Sequence, residues 1–486
     1  MLSAQFMPSA RFLPWIMWGV TTLFFAYQFI MRLAPGLIMP ELMQKFNVNA
    51  TSYGLFAALY YFAYAGMQIP IALLLDRFGP RLVVSISVLA CSLGTLLLVY
   101  TEHWELALLS RFLIGAGSAA GFLGSSKVLS SWFSEKLYTK MVGLTFTFGL
   151  LGAVYGGKPM GSLIAQFGWT AALTLVGLVG LGLSLLVVLL VKNPSVLNTK
   201  VSNPNVSNLD ISNARVLNTN LSNAKVSTSN KSSDKNSSIL NNLKTIVCNK
   251  HLLLIALANF LMVGALEGFA DVWGVPYLST THGMLKENAA QVVSTLFVGM
   301  LFGGPILAYF ADKLRSNYWV AATAGLGMGL IFLVLLSLNT HLEVSTLYVL
   351  LFLTGILCCY QVLVFAIGVS LVPKHLTSLT VAFLNCINML GGSFFHNLIG
   401  YCMDFFWNGT MENGVRIYDG YAYTYALSSI AVTAVLGGVL IFLAGPKRKT
   451  ILSENIKKNT QENSKEDIEK NIKENTRKNL LNNPVG

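Results

Sequence analysis

Charge is the scarcest property of this chain: of its 486 residues only 11% are Asp, Glu, Lys or Arg, while 54% are hydrophobic. Ordinary soluble domains carry about 25% charged residues, so most of this sequence has no surface to offer water. Cysteine is sparse as well. The six, Cys91, Cys248, Cys358, Cys359, Cys386 and Cys402, fall mostly inside apolar stretches and lack metal-ligand spacing, which argues against a disulfide scaffold or zinc site and for small, soft core residues. Two further absences exclude function classes. No glycine loop ends in Gly-Lys-Ser or Gly-Lys-Thr and no His-Glu-x-x-His occurs, so the machinery of an ATP-driven pump and of a zinc hydrolase is missing. The chain is therefore expected to be no enzyme, and nothing in it asks for a metal or cofactor. A net charge of +12 points to topology and not to nucleic acid, because the basic residues gather in loops on one side and in the tail.

What the chain has in place of charge is long apolar runs. A spanning helix needs about 20 mostly apolar residues, since the hydrocarbon layer is about 30 Å thick and a helix rises about 1.5 Å per residue. Such runs lie near 13–38, 51–75, 82–101, 104–126, 141–165 and 169–191, and again near 252–278, 289–311, 318–339, 345–371, 378–403 and 421–444. The first has no small-residue cleavage site and continues through Arg32 and Pro35, so it reads as a retained helix. The expected fold is an all-α membrane protein of twelve transmembrane helices, in two six-helix pseudo-repeats around a central cavity. Its expected parts are an N-terminal bundle (1–192), a disordered cytoplasmic linker (193–250), a C-terminal bundle (251–445) and a cytoplasmic tail (446–486). The linker repeats Asn-rich units such as Val-Leu-Asn-Thr-Lys-Val-Ser-Asn, too poor in large apolar residues for a core.

Basic residues of short loops stay in the cytoplasm. Arg11, Arg77, Arg81, Lys136, Lys140, Lys313, Arg315, Lys374, Lys447, Arg448 and Lys449 fall on the side of the N-terminus, against only Lys45, Lys286 and Arg416 on the other. Both termini are therefore expected in the cytoplasm. The Asn and Lys richness of linker and tail suggests a bacterium with an AT-rich genome, hence an inner (plasma) membrane location.

The halves echo one another. Asp76-Arg77-Phe78-Gly79-Pro80-Arg81 follows the second run, and Asp312-Lys313-Leu314-Arg315 follows the eighth, as a duplicated architecture leaves behind. These loops, with Arg111 to Gly117 in the fourth run and Gly149, Gly152, Gly156, Gly157, Pro159 and Gly161 in the fifth, resemble the motifs of the major facilitator superfamily. The likeness covers nearly all of the chain except linker and tail. It implies a secondary transporter working by alternating access, with Asp76, Arg77, Gly79, Arg81, Asp312, Lys313 and Arg315 in gating and a monomer as the working unit. Within the superfamily, Arg32 and the Pro35 to Pro40 segment resemble permeases for organic anions and sugar phosphates and, more distantly, the lysosomal dipeptide transporters of eukaryotes.

Ionisable residues inside apolar runs are expensive, about 2.5 kcal/mol or more each, and must face protein or water. Arg32, Arg111 and Lys158 each count six or seven residues inward from an expected outer end, about 10 Å at a helical rise. Glu267 and Asp271 answer them from the seventh run, one helical turn apart. Two substrates fit. A carboxylate or phosphate would bind Arg32, Arg111 and Lys158, because a guanidinium makes paired charge-assisted hydrogen bonds to such groups, with Glu267 or Asp271 carrying a coupling proton. A zwitterionic dipeptide or amino acid would use both signs. Tyr27, Tyr64, Gln361 and His396 are expected to line the same cavity. A membrane sensor that transports nothing is the alternative from another class.

Overall fold

In lipid every backbone polar group needs an internal partner, so runs of this length become helices. The computed structural model describes residues 12–193, 242, 244–338, 341–373 and 376–445. The expected tail and nearly all of the expected linker lie outside the described residues. Ten stretches among the described residues are long and apolar enough to cross a membrane, and two of them, Ala50–Tyr100 and Lys140–Leu190, are 51 residues long and hold two crossings each. The sum is the expected twelve.

The first six crossings are α1 (Leu13–Phe46), α2 (Ala50–Phe78), α3 (Pro80–Tyr100), the pair α4 (Trp104–Ser118) and α5 (Ala120–Trp132), then α6 (Glu135–Gly156) and α7 (Lys158–Leu190). The fifth crossing is α6 plus the start of α7, and Gly168, at φ 79°, turns the chain inside α7 to begin the sixth. The second six start with α8 (Lys250–Met262), a π-helix (Gly264–Trp273) and α9 (Gly274–His282), which form one crossing. They continue through α10 (Lys286–Leu314), α11 (Asn317–Leu338), α12 (Val344–Cys358) with α13 (Tyr360–Ser370), α14 (Thr377–Phe405) and α15 (Gly420–Ala444). Between α14 and α15 lies a small antiparallel hairpin of β1 (Met411–Glu412) and β2 (Val415–Arg416). We call the end of the bundle that carries Leu13 the terminal end, and the end that carries the loops after α1, α9 and α14 the far end.

Helices outrun the hydrophobic runs. α1 was expected to stop near residue 38, ahead of Pro40 and the polar Glu41, Gln44 and Lys45, yet it reaches Phe46 with only a kink at Ile38 (φ −118°, ψ 16°). Hydropathy measures the lipid layer, whereas the helix continues past it against its neighbours. Arg32 therefore lies 14 residues from Phe46, about 21 Å along the axis and not the expected 10 Å.

The halves close on each other at the far end. α2 and α14 approach so tightly that a Cβ on Gly400 would fall 3.2 Å from the Cα of Gly54 and 3.1 Å from the carbonyl carbon of Ala50, the small-residue packing that lets helices associate in lipid. Asp404, at the far end of α14, accepts from the backbone N–H of Thr51 (2.8 Å), from Arg416 Nη1 (3.0 Å) and from the hydroxyl of Tyr418. Tyr418 in turn accepts from the N–H of Ala50 (2.9 Å). A carboxylate and a phenol hydroxyl of the second half thus satisfy two orphan donors of the first turn of α2, where the helix dipole favours negative charge. Burial raises the pKa of Tyr418 and keeps its hydroxyl a donor. Lys286 pairs with Glu41 and Ser162 donates to Glu287 (2.9 Å) on the other side of the bundle.

Replacing Gly54 by Ala forces α2 from α14 and is expected to lower the detergent melting temperature, at about 1–3 kcal/mol for overpacking. Gly66→Ala, on the same helix with nothing within 4 Å of its Cβ, is expected to leave it unchanged or raise it. Equal melting of the two variants would contradict the packing described.

Candidate functional site

A buried guanidinium must find acceptors, and the sequence offers Arg32 only two carboxylates at its depth. The structure brings all three together. Arg32 is 6% exposed; its Nε donates to Asp271 Oδ2 and its Nη2 to Glu267 Oε2. Each carboxylate is 1% exposed and belongs to the opposite half. The helix that carries them is not α but π, with ten residues in the i→i+5 pattern, a form that recurs at functional sites. Its wider turn still aims both acids at one guanidinium.

Residues from two more helices complete the cluster. Tyr61 on α2 donates to Asp271 Oδ2, and its ring faces Arg32 at 5.1 Å and His396 at 5.0 Å. Asn388 Nδ2 on α14 donates to Glu267 Oε1 (3.3 Å). His396 is buried and accepts from Trp273 Nε1 at Nδ1 (3.1 Å), while its Nε2 has no partner among the described residues. Asp271 Oδ1, Asn388 Oδ1 and Gln361 Nε2 are likewise without one. Such groups are rare in native structures and ask for a ligand or water.

Arg111 does not touch the carboxylates but bonds to backbone carbonyls of α1. Pro35 has no N–H, so the carbonyl of Met31 loses its helical donor. Arg111 Nη1 fills that place at 2.9 Å, and Nη2 donates to the carbonyl of Arg32 at 3.1 Å. With its guanidinium 4.6 Å from the centre of Tyr60, it fixes the turn of α1 that presents Arg32. Lys158 does not touch the carboxylates either. It is exposed at the break between α6 and α7 and donates to Gln291 Oε1 on α10 (2.7 Å), because depth counted along one helix says nothing of the direction a side chain takes around it. Tyr27 turns into its own half and donates to the carbonyl of Val176 (3.2 Å). Tyr64 is 8% exposed and packs on Tyr60 at 6.1 Å.

The loop motifs are tied within their own halves. Asp76 pairs with Lys127 on α5 (2.7 Å), and Arg81 Nε donates to the carbonyl of Val188 (2.8 Å). Gly79, at φ 77°, leaves room for Asn193, which donates to the carbonyl of Phe78 (3.0 Å). Arg77 lies over Phe78 and Lys313 over Tyr309, and Asp312 and Arg315 close the C-terminus of α10 through the backbone. Among the described residues no ion pair joins these loops across the halves.

Sequence reasoning missed Tyr61 and Asn388's bond. The ladder Asn388, Gly392, His396, Gly400 on α14, facing Gly54, Tyr61 and Ala65 on α2, was the available signal, for small residues at four-residue spacing mark a close crossing.

Residues 18–396 match the family model of the Major Facilitator Superfamily. The chain belongs to this superfamily. It is 34% identical over 183 residues to the 4-hydroxybenzoate transporter PcaK of Pseudomonas aeruginosa, covering 36% of this chain and 40% of that one. It is 27% identical over 161 residues to the probable galactarate/D-glucarate transporter GarP of Escherichia coli K12, covering 32% and 36%. These matches span well under half of the curated relatives' length. A bacterial homolog of the human lysosomal transporter Spinster, solved in an inward-facing and unoccupied conformation, shares the fold at a TM-score of 0.62 and 16% identity, over 90% of this chain and 96% of that one.

Removing Arg32 strands two buried carboxylates. Arg32→Ala is expected to destabilise the protein by about 3–5 kcal/mol, as loss of one partner of a buried ion pair does, and adding Glu267→Gln and Asp271→Asn should restore most of the melting temperature. A triple variant no more stable than Arg32→Ala would show that the cluster does not balance charge.

Proposed function

We propose that the protein is a secondary active transporter that carries a small organic anion through the membrane and couples its movement to protons. The observation that carries this reading is Arg32, a guanidinium held between the halves with both of its anchoring carboxylates on the opposite half. An arriving carboxylate or phosphate competes with Glu267 and Asp271 for Arg32. Once displaced, these acids sit buried without a counter-ion, where protonation is the inexpensive outcome. Binding of the anion and of protons then reinforce one another. The two partial relatives named for organic anions support the substrate class, and a sugar acid or aromatic acid fits it as well as a sugar phosphate.

In this reading the terminal end faces the cytoplasm of a bacterial inner membrane, with both termini inside and the 193–250 linker joining two six-helix bundles. The bonded far end is the outer gate, closed here. Asp76, Arg77, Gly79, Arg81, Asp312, Lys313 and Arg315 serve the gate at the other end when it closes.

Thermal unfolding in detergent against sugar phosphates, dicarboxylates, aromatic acids, dipeptides and amino acids tests the proposal. An anion at about 100 times its dissociation constant stabilises by about 2.7 kcal/mol, and the shift should vanish in Arg32→Lys, which lacks the planar fork. Stabilisation by dipeptides alone would replace the anion by a zwitterion as substrate. No response to any solute, together with no uptake in vesicles, would turn the reading toward a sensor.

A further inference from the structure

Asp271 uses only one of its oxygens. Oδ2 takes Arg32 and Tyr61, while Oδ1 is buried without a partner among the described residues. Asp271 also lines a crevice of about 10 Å³ between α1, the π-helix, the α6–α7 break and α10, with Leu33, Gly156, Gly157, Ser294 and Phe297 around it. That volume is the space one water needs, and a buried water also needs two to four polar partners. Oδ1 is one. Ser294 is a second, since its hydroxyl donates to the carbonyl of Ala290 (2.6 Å) and keeps its lone pairs. The helix break supplies the carbonyl of Gly156, which ends α6, while that of Gly157 accepts from the N–H of Gly161 (2.9 Å).

The crevice does not stand alone. From Ser294 toward the far end, α10 presents Gln291 and Glu287, spaced as one face of a helix. All three meet the same segment of the first half: Gly157 lies against Ser294, with a Cβ there 3.0 Å from the carbonyl of Ala290, Lys158 donates to Gln291 (2.7 Å), and Ser162 donates to Glu287 (2.9 Å). Ser294 and Gln291 lie within the apolar run of α10 and face protein or water there, while Glu287 stands partly exposed at its far-end start.

We propose that this crevice binds one water on Asp271 Oδ1 and that the Ser294, Gln291, Glu287 seam is the proton's route to Asp271 from the far end, open while that end is shut to substrate. The inference rests on the proton-coupled reading above. The water gives one proton to Oδ1 as it takes another from the Ser294 hydroxyl, which turns from the carbonyl of Ala290 to donate it and is reprotonated by water along Gln291 and Glu287, so water and serine are unchanged and the proton comes from bulk water at the far end. The charged and titratable groups that face Asp271 are Arg32 on α1, Tyr61 on α2 and Glu267 on its own helix; His396 stacks behind Tyr61, and Lys158 stands at the side of the seam.

Proteoliposomes separate this role from substrate binding, because counterflow of labelled anion needs no net proton movement while accumulation driven by an imposed pH gradient does. Ser294→Val, which removes the hydroxyl and fills the crevice, should lower gradient-driven accumulation by about a hundredfold, the lower range of what positioned proton transfer contributes, with counterflow unchanged. Ser294→Thr, which keeps the hydroxyl, should retain both. Unchanged accumulation in Ser294→Val, or an equal loss of accumulation and counterflow, would overturn the route. An experimental structure that shows waters decides the site independently of any transport assay: density between Asp271 Oδ1 and Ser294 Oγ supports it, and a dry crevice overturns it. A wild-type protein that shows no counterflow of any anion would sink the transporter reading while leaving that structural test in force.

Discussion

One guanidinium, almost wholly buried and neutralised by two carboxylates of the other half, is the constraint on which the arrangement depends. Arg32 cannot remain unpaired in a medium where a lone charge is so costly, so the pair Glu267 and Asp271 must stay within its reach. The surrounding helices serve that geometry. Pro35 opens the backbone of α1 and Arg111 occupies the opened carbonyl, so the proline that weakens the helix also creates the socket that fixes it. Tyr61 carries the contact to α2, and Asn388 to α14. Arg32 and Arg111 balance Glu267 and Asp271 in charge, but only Arg32 does so by contact.

The far end is held by different physics. There Asp404 and Tyr418 bond to backbone N–H groups of α2, and Arg416 and Lys286 form ion pairs that are partly open to solvent. Bonds of this kind exchange readily for bonds to water and contribute about 1 kcal/mol each. The central cluster has no such exchange partner. A protein that opens one end while keeping its halves associated needs this division, with weak wet bonds where it parts and strong buried ones where the proposed substrate would take over.

The twelve crossings were legible because length and apolarity decide them, and Arg32, Glu267 and Asp271 were legible because charges inside apolar runs have few excuses. Arg111 and Lys158 satisfy the same criterion but lie away from the carboxylates. The criterion reports depth, whereas convergence depends on rotation about the helix axis, and one proline in α1 redirected Arg111 to a carbonyl. The π-helix left no mark beyond Gly264, Gly268 and Gly274, since no residue preference distinguishes an i→i+5 ladder. Asp404, Arg416 and Tyr418 sit in a segment that reads as loop, and their meeting with Thr51 joins residues more than 350 apart in sequence.

The orientation of the guanidinium bears on how an anion could enter. Asp271 and Glu267 divide the Nε and Nη2 edge, the edge a single carboxylate would chelate with two parallel bonds. Nη1 has no partner among the described residues. In the proposed reading an arriving anion would meet Nη1 first and share Nη2 with Glu267 as it moves in. Exchange of this kind never leaves the guanidinium bare, which removes the largest electrostatic barrier to binding. It would also order the acids: Glu267, on Nη2, would be released first, while Asp271 would keep Nε and the hydroxyl of Tyr61 until the anion had engaged. The acid with a free oxygen on the crevice is thus the one released last, and its protonation would complete the exchange.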